Sequence, residues 1–171
     1  DLTVYPPVKM DATRYNWKRK KDIYAASRLY VVTASDWMMD LVKQSILPPA
    51  LSRVIPNAVD PAEFSTGDRS TARKALGLPE DAWIVLFTGH NPFKDVQTAE
   101  AALANIRKPD GIKGDLLYIC LGTKSPERKL GDGILISPGF ESVPNGMRTY
   151  YRAANVYMHA ARAEAFGNAI I

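Results

Sequence analysis

A carboxylate and a glycine lie close together after the last apolar run of the chain. Glu164 is followed by Ala165, Phe166, Gly167 and Asn168. A helix beginning at this point would expose its first N–H groups, which carry positive character and suit a phosphate. The junction therefore predicts half of an anion-binding site.

A second group of polar residues follows an earlier apolar run, at residues 83–88. It contains Gly89, His90 and Lys94, and Lys94 is followed directly by Asp95. A cation is unfavourable at the start of a helix, so an anionic ligand explains Lys94 better than helix stability does. His90 comes after a strand at the edge where open α/β folds bind ligands, although a structural hydrogen-bonding role is an equal alternative.

Four short apolar runs alternate with helical stretches, which predicts an α/β fold with a parallel sheet and helices on both faces. A helix is expected between the first two runs, ended by Pro109-Asp110-Gly111, and another is expected with Asn145 as its cap. The predicted central strands are residues 83–88, 116–121, 134–136 and 156–159, and the first helix is residues 95–107.

The first sixty residues have a different pattern, a strand and a helix followed by a short strand and a turn. Ser35 is the expected N-cap, Pro48-Pro49 stop the helix, and a domain boundary is expected near Val59. The expected strand is residues 28–33, the helix is 36–45, and the short strand begins at Arg53; a further helix after residues 65–73 closes at Gly77.

Composition restricts the classes of function. The 171 residues are 46% apolar and carry a net charge of +4, without an apolar run long enough to span a bilayer. Cys120 is the single cysteine, which excludes an internal disulfide or zinc cluster and favours a cytosolic setting. The basic stretch 15–21 is interpreted as a solvated helix face, with an anionic lipid surface second; a charge of +4 is too small for polynucleotide binding.

Several short motifs occur in an order that resembles one large family. They are Val-Val-Thr-Ala-Ser-Asp-Trp at 31–37, Val-Ile-Pro-Asn-Ala-Val-Asp at 54–60 with Phe64, Phe-Thr-Gly at 87–89 with Lys94-Asp95, and Tyr-Arg-Ala-Ala-Asn-Val at 151–156 leading to Glu-Ala-Phe-Gly at 164–167. This order resembles the retaining, nucleotide-sugar-dependent glycosyltransferases of group 1 type, which have two facing Rossmann-like domains, the GT-B fold.

The resemblance implies a domain organisation. Residues 1–57 would be the end of the acceptor-side domain with the interdomain connection, and 58–171 would be an incomplete donor-binding domain. We therefore expect a longer protein, of which this piece alone is inactive. The implied reaction transfers a hexosyl-type sugar from a nucleotide diphosphate sugar to a glycan or lipid-linked acceptor. It would occur in the cytoplasm, at or near the inner face of the membrane.

The resemblance also implies roles for individual residues. Transfer leaves negative charge on the departing phosphate, which calls for fixed positive charge. Lys94 and the amides of residues 166–168 would supply it, Glu164 would accept hydrogen bonds from the sugar hydroxyls, and the phosphate itself would help to remove the acceptor proton. Gly139 and Phe140 would line the base pocket. The predicted catalytic residues are Glu164 and Lys94, and the predicted donor contacts are Gly89, His90, Lys94, Gly139, Phe140, Glu164, Ala165, Phe166, Gly167 and Asn168.

Other interpretations of the same residues stay open. Without the resemblance, Glu164 is a solvated loop acid and Lys94 an ordinary exposed side chain. One rival is a non-catalytic nucleotide-binding or interaction module, and a second is a sugar-phosphate isomerase or sugar-nucleotide epimerase, whose acid and base residues are not identifiable here. No cofactor besides the donor, no metal and no nucleic-acid partner is expected, and these motifs do not encode the donor base, sugar or acceptor.

Overall fold

Residues 10–47, 51–108 and 110–171 are described by a computed structural model, in which the chain divides into two units, Asp1–Asn57 and Ala58–Ile171. The functional roles expected for the two units, acceptor side and donor side, stay predictions. Each unit is described by itself.

Within residues 10–47 and 51–57, the first unit forms two α-helices and two short parallel strands, in the order α1 (Thr13–Ala25), β1 (Val31–Thr33), α2 (Asp36–Lys43) and β2 (Ser52–Val54). Ser35 caps α2 as predicted, because its side chain accepts a hydrogen bond from the Met38 N–H at 3.3 Å. The strand is shorter than the predicted residues 28–33, and Pro48-Pro49 lie outside the described residues. Apart from the half-buried Tyr24, the residues of α1 are exposed.

The second unit is built around a five-stranded sheet. Its strands are β3 (Trp83–Thr88), β4 (Leu116–Leu121), β5 (Lys124–Leu130), β6 (Gly133–Gly139) and β7 (Val156–Tyr157), in the spatial order β5-β6-β4-β3-β7. Strands β6, β4, β3 and β7 are parallel, so the predicted parallel α/β sheet is confirmed. The bounds of β3 and β4 are those predicted from the apolar runs.

Helices cover both faces of this sheet. They are α3 (Arg69–Leu76), α4 (Val96–Ala104) and α5 (Pro144–Ala153). Alternate residues of β3 and β4 enter two separate cores, because successive side chains of a strand point to opposite faces. Phe87 and Tyr118 pack with Leu103 of α4 on one face, whereas Ile84 and Leu86 lie in the other core, against which Tyr151 of α5 packs.

Several predicted bounds were wrong. Strand β5 was missed because its sequence, Lys-Ser-Pro-Glu-Arg-Lys-Leu, is almost wholly exposed and carries no apolar signal; it pairs antiparallel with β6. Asn145 does not cap α5, since Val143 holds the N-cap position and Pro144 begins the helix. The expected central strand at 156–159 is the two-residue β7, at the edge of the described sheet, and α4 ends at Ala104 rather than at residue 107.

A buried arginine and an asparagine join α3, α5 and β3. The Arg73 side chain, 4% exposed, donates to the Ala153 carbonyl at 3.1 Å and to Asn155 Oδ1 at 2.8 Å. The same Oδ1 accepts the Ile84 N–H at 2.9 Å, and the Asn155 N–H donates to the Ile84 carbonyl. Asn155 therefore completes the hydrogen bonds of two buried donors.

Replacing Asn155 should destabilise the second unit, and the loss should be larger when the new side chain has no acceptor oxygen. Asn155→Leu removes the acceptor of the Ile84 N–H and of one Arg73 N–H, and we expect a loss of about 2–4 kcal/mol in the free energy of unfolding. Asn155→Asp is the matched control, because a carboxylate keeps that acceptor and should lose less than half as much. Urea unfolding of both variants measures this, and equal losses would contradict the role given to Oδ1.

Candidate functional site

The loop after β3 begins at a glycine that has no space for a side chain. The Gly89 N–H donates to the Leu121 carbonyl at 2.7 Å. A Cβ at Gly89 would lie 2.5 Å from Val96 Cγ2 and 3.0 Å from Cys120 Sγ. Packing between β3, β4 and α4 therefore explains glycine at this position, and its predicted contact with a donor stays a prediction.

Two side-chain caps shape the rest of this loop. Asn91 Oδ1 accepts the Phe93 N–H at 2.9 Å and starts a short 3₁₀ helix, Pro92–Lys94. Asp95 follows with a φ of +35°, a left-handed conformation that aspartate tolerates better than most residues, and caps α4 through Thr98. Lys94 is therefore the last residue of a short 3₁₀ helix that is capped by Asn91 at its start and followed directly by the cap of α4.

The loop after β7 is tied to the loop after β3. The Arg162 N–H donates to the Phe93 carbonyl at 2.8 Å, and the Arg162 guanidinium donates to both Asp95 carboxylate oxygens, at 2.7 and 3.3 Å. This fork-like contact holds the pKa of Asp95 below its ordinary value. Neither residue was predicted from the sequence to be part of the site. The signal that could have indicated them is an acidic residue in one loop and a basic residue in the other, because the parallel topology brings these two loops together.

Lys94 and Glu164 meet across these two loops. Lys94 Nζ lies 2.5 Å from Glu164 Oε2, and the two side chains are 11% and 34% exposed. The hydrogen bond from Lys94 lowers the pKa of Glu164, and partial burial opposes that shift. The structure thus brings together the two residues predicted to be catalytic, paired with each other.

A histidine lies against the same carboxylate. His159 Nε2 is 3.5 Å from Glu164 Oε2, yet this nitrogen is buried and makes no hydrogen bond. On the other side of the ring, His159 Nδ1 is 3.3 Å from the Tyr157 hydroxyl, which is 3.3 Å from Thr88 Oγ1. The imidazole therefore lies between the Tyr157 hydroxyl and the Glu164 carboxylate.

The residues after Glu164 form a turn instead of the predicted beginning of a helix. The Ile170 N–H donates to the Gly167 carbonyl at 2.9 Å, and Gly167 has a φ of +87°, which favours glycine. The Tyr151 hydroxyl donates to the Ala169 carbonyl at 3.1 Å and fixes the turn against α5. One hydrogen-bonded turn is insufficient to propagate a helix, because nucleation fixes many dihedral angles for a single bond. The amides of Phe166 and Asn168 were expected to offer positive charge to a phosphate from the start of a helix. In this structure they do not belong to a helix.

The remaining predicted donor contacts lie at the ends of β3 and β6. The His90 and Phe140 rings are 6.4 Å apart in an edge-to-face arrangement, and Phe140 is 71% exposed. The Gly139 carbonyl accepts the Gly122 N–H at 2.8 Å, and a Cβ at Gly122 would overlap His90. All the predicted site residues thus follow the carboxyl ends of parallel strands β3, β6 and β7, the edge at which open α/β sheets bind ligands.

The described residues lack two features that mark other classes of protein. Within residues 10–47, 51–108 and 110–171, no group of three or more His, Cys, Asp and Glu side chains is placed to bind a metal ion. None of the helices formed by those residues has the length and apolar character that crossing a membrane requires.

Known proteins resemble this chain in sequence and in structure. No protein-family model matches the chain. The D-inositol 3-phosphate glycosyltransferase of Acidothermus cellulolyticus is 30% identical over 162 residues, 85% of this chain and 36% of the relative; that of Mycolicibacterium paratuberculosis is 34% identical over 153 residues, 83% and 33%. The chain thus spans little more than a third of the length of these curated relatives.

Solved structures support the fold that was predicted from the sequence. Sucrose-phosphate synthase from Thermosynechococcus elongatus superimposes with a TM-score of 0.72 at 24% identity, covering 98% of this chain and 43% of the other. Anabaena HepE, solved in complex with UDP-glucose, gives a TM-score of 0.68 at 18% identity, covering 92% and 45%. The predicted Rossmann-like architecture of a partial GT-B fold is confirmed.

Removing the Lys94 ammonium should raise the pKa of Glu164 towards its ordinary value of 4.5. In the wild type this lowered pKa means that the pair stabilises the fold above the pKa of an unfolded glutamate, and that the stabilisation is lost as pH falls through the folded value. Carboxyl ¹³C titration of the wild type and of Lys94→Met measures both values. Lys74→Met, which removes an exposed lysine 3.6 Å from Glu80, should leave Glu164 unchanged; an unaltered Glu164 pKa in Lys94→Met would contradict the ion pair.

Proposed function

We propose that this chain, whose relatives and structural neighbours support the GT-B glycosyltransferase family, binds a nucleotide diphosphate sugar through residues 58–171, at the carboxyl ends of β3, β6 and β7. One observation carries this proposal: Lys94 and Glu164, 70 residues apart in sequence, lie 2.5 Å apart between the loops that follow β3 and β7. A cation and a hydrogen-bond acceptor side by side match the two halves of such a donor, its phosphates and its sugar.

The ion pair itself indicates what each side chain would bind. The carboxylate of Glu164 occupies the position beside Lys94 Nζ that a phosphate oxygen would take, and both groups offer the lysine a charge-assisted hydrogen bond. Conversely, the ammonium donates to Glu164 as the hydroxyl groups of a sugar would. In the proposal, the bound donor supplies each residue with the partner that the other now provides.

The proposed chemistry depends on charge that develops during transfer. Breaking the bond between the sugar and the diphosphate leaves negative charge on the phosphate, and Lys94 would stabilise that charge from a position fixed by the caps before and after it. Glu164 would orient the sugar. The acceptor would attack from the side of the departing phosphate, which retains the configuration of the sugar and lets the phosphate take the acceptor proton, so this chain need not provide a separate base.

The end of β6 supports a place for the nucleotide base. Phe140 is an exposed aromatic ring beside the imidazole of His90, and aromatic faces favour stacking with flat rings. We therefore assign the base to the Gly139–Phe140 turn and the phosphates to Lys94, as the family resemblance implies.

The finer features of the reaction belong to the proposal as well. They are a hexosyl-type donor and a glycan or lipid-linked acceptor, used in the cytoplasm at the inner face of the membrane. HepE, a structural neighbour, was solved in complex with UDP-glucose, which makes a uridine donor the first to test. Because this chain spans little more than a third of such relatives, transfer would require the rest of the protein.

Binding of nucleotides tests the proposal on the chain itself. We expect calorimetric titration with UDP, GDP and ADP, each also as its glucose derivative, to show saturable binding of at least one pair. Lys94→Met should weaken that binding by roughly tenfold or more, because a charge-assisted contact with phosphate is lost. Lys74→Met, which removes the same charge from α3, should bind as the wild type does.

Two outcomes would contradict the proposal. One is the absence of saturable binding for all six nucleotides, and the other is an equal effect of the two lysine substitutions. In the longer protein, Lys94→Met should also lower sugar transfer sharply, and unchanged transfer would remove Lys94 from the mechanism.

A further inference from the structure

His159 is held from one side by two hydroxyl groups. Thr88 Oγ1, Tyr157 Oη and His159 Nδ1 form a chain with 3.3 Å between successive atoms, and the Tyr157 ring also stacks on Tyr151 with centroids 5.3 Å apart. The imidazole is 19% exposed and lies between β7 and the loop that carries Glu164. Its position is therefore fixed before any ligand binds.

The neighbouring carboxylate favours one position for the imidazole proton. An N–H that faces the anionic Glu164 Oε2 is attracted to it, whereas a nitrogen lone pair in that position would be repelled. With the proton there, Nδ1 accepts from the Tyr157 hydroxyl, and Tyr157 Oη can accept from Thr88. In a neutral imidazole one nitrogen accepts and the other carries the proton. We therefore assign the proton to Nε2, the nitrogen that faces Glu164 Oε2 at 3.5 Å and that makes no hydrogen bond.

A buried donor without a partner next to a carboxylate calls for an explanation. Such groups are rare because leaving one unsatisfied is unfavourable. In this structure Glu164 is already paired with Lys94, and the carboxylate oxygen is turned to the ammonium at 2.5 Å. With Oε2 turned to the ammonium, Nε2 stays 3.5 Å away and unbonded. Once Lys94 has another partner, a small rotation of the carboxylate would bring an oxygen within hydrogen-bond distance of the Nε2–H.

We propose that His159 is a positioning residue that takes the place of Lys94 at Glu164 when the donor binds. This inference rests on the proposed function, in which the phosphates of the donor draw Lys94 away. Glu164 would then lose its counterion while two-thirds shielded from water, and the Nε2–H of His159 satisfies and orients it. The carboxylate therefore stays fixed for the sugar hydroxyls, and His159 does not itself contact the sugar.

A spectroscopic test needs no ligand. The ¹⁵N and ¹H resonances of His159 report which nitrogen carries the proton, and we expect the Nε2–H form in the wild type. Lys94→Met imitates the departure of the lysine, so the Hε2 resonance should move downfield and exchange more slowly with water as the bond to Glu164 forms. Lys74→Met should leave that resonance unmoved. A proton on Nδ1, or an Hε2 resonance unaffected by Lys94→Met, overturns the proposal.

A binding test separates this role from a general structural one. For the nucleoside diphosphate that binds in the titrations above, the gain in affinity from adding the glucose moiety measures the contribution of the sugar contacts. His159→Ala should reduce that gain by roughly tenfold, as expected for a weakened hydrogen bond to a charged group, and should leave the affinity for the diphosphate alone unchanged. His159→Gln, whose amide N–H can reach the position of Nε2, should restore most of the gain.

The outcomes distinguish the two proposals. If no nucleotide binds, the proposed function fails. If the diphosphate and its sugar derivative bind and His159→Ala leaves the gain intact, or weakens both ligands equally, the proposed function stands and the role of His159 is wrong.

Discussion

The Lys94–Glu164 contact is the interaction on which the account of the second unit depends. It exists because β3 and β7 are neighbouring parallel strands, so the loops at their carboxyl ends lie at the same edge of the sheet. Arg162 fixes the distance between those loops through Asp95 and the Phe93 carbonyl. The loops are therefore held together by residues other than the proposed catalytic pair, which leaves that pair able to exchange partners.

The residues of the motifs and of the candidate site divide into those that build the fold and those that the fold does not explain. Asn155 completes two buried hydrogen bonds, and Gly89 is required by the approach of Val96 and Cys120. The exposed ring of Phe140 and the unpartnered Nε2 of His159 have no comparable structural reason. A family signature of this kind thus contains residues that the fold requires and residues that serve the chemistry. The contacts of each residue show to which group it belongs.

The sequence was sufficient for the buried elements and insufficient for the exposed ones. Strands β3 and β4 were predicted to the residue because continuous apolar runs mark strands covered on both faces. Strand β5 was missed since it is held by backbone pairing with β6 and not by burial. Lys94 and Glu164 were found through their place in the motif order. Asp95 lies in the same motif as Lys94, but its contact with Arg162 was not predicted, because Arg162 belongs to none of the motifs.

The central claim is that Lys94 and Glu164 separate to receive the two halves of a nucleotide sugar. A crystal structure of the chain with its tightest-binding nucleotide sugar measures this directly. We predict that Lys94 Nζ contacts a phosphate oxygen and no longer lies 2.5 Å from Glu164 Oε2, and that the Glu164 carboxylate faces the sugar. A nucleotide bound elsewhere with the ion pair intact would contradict it.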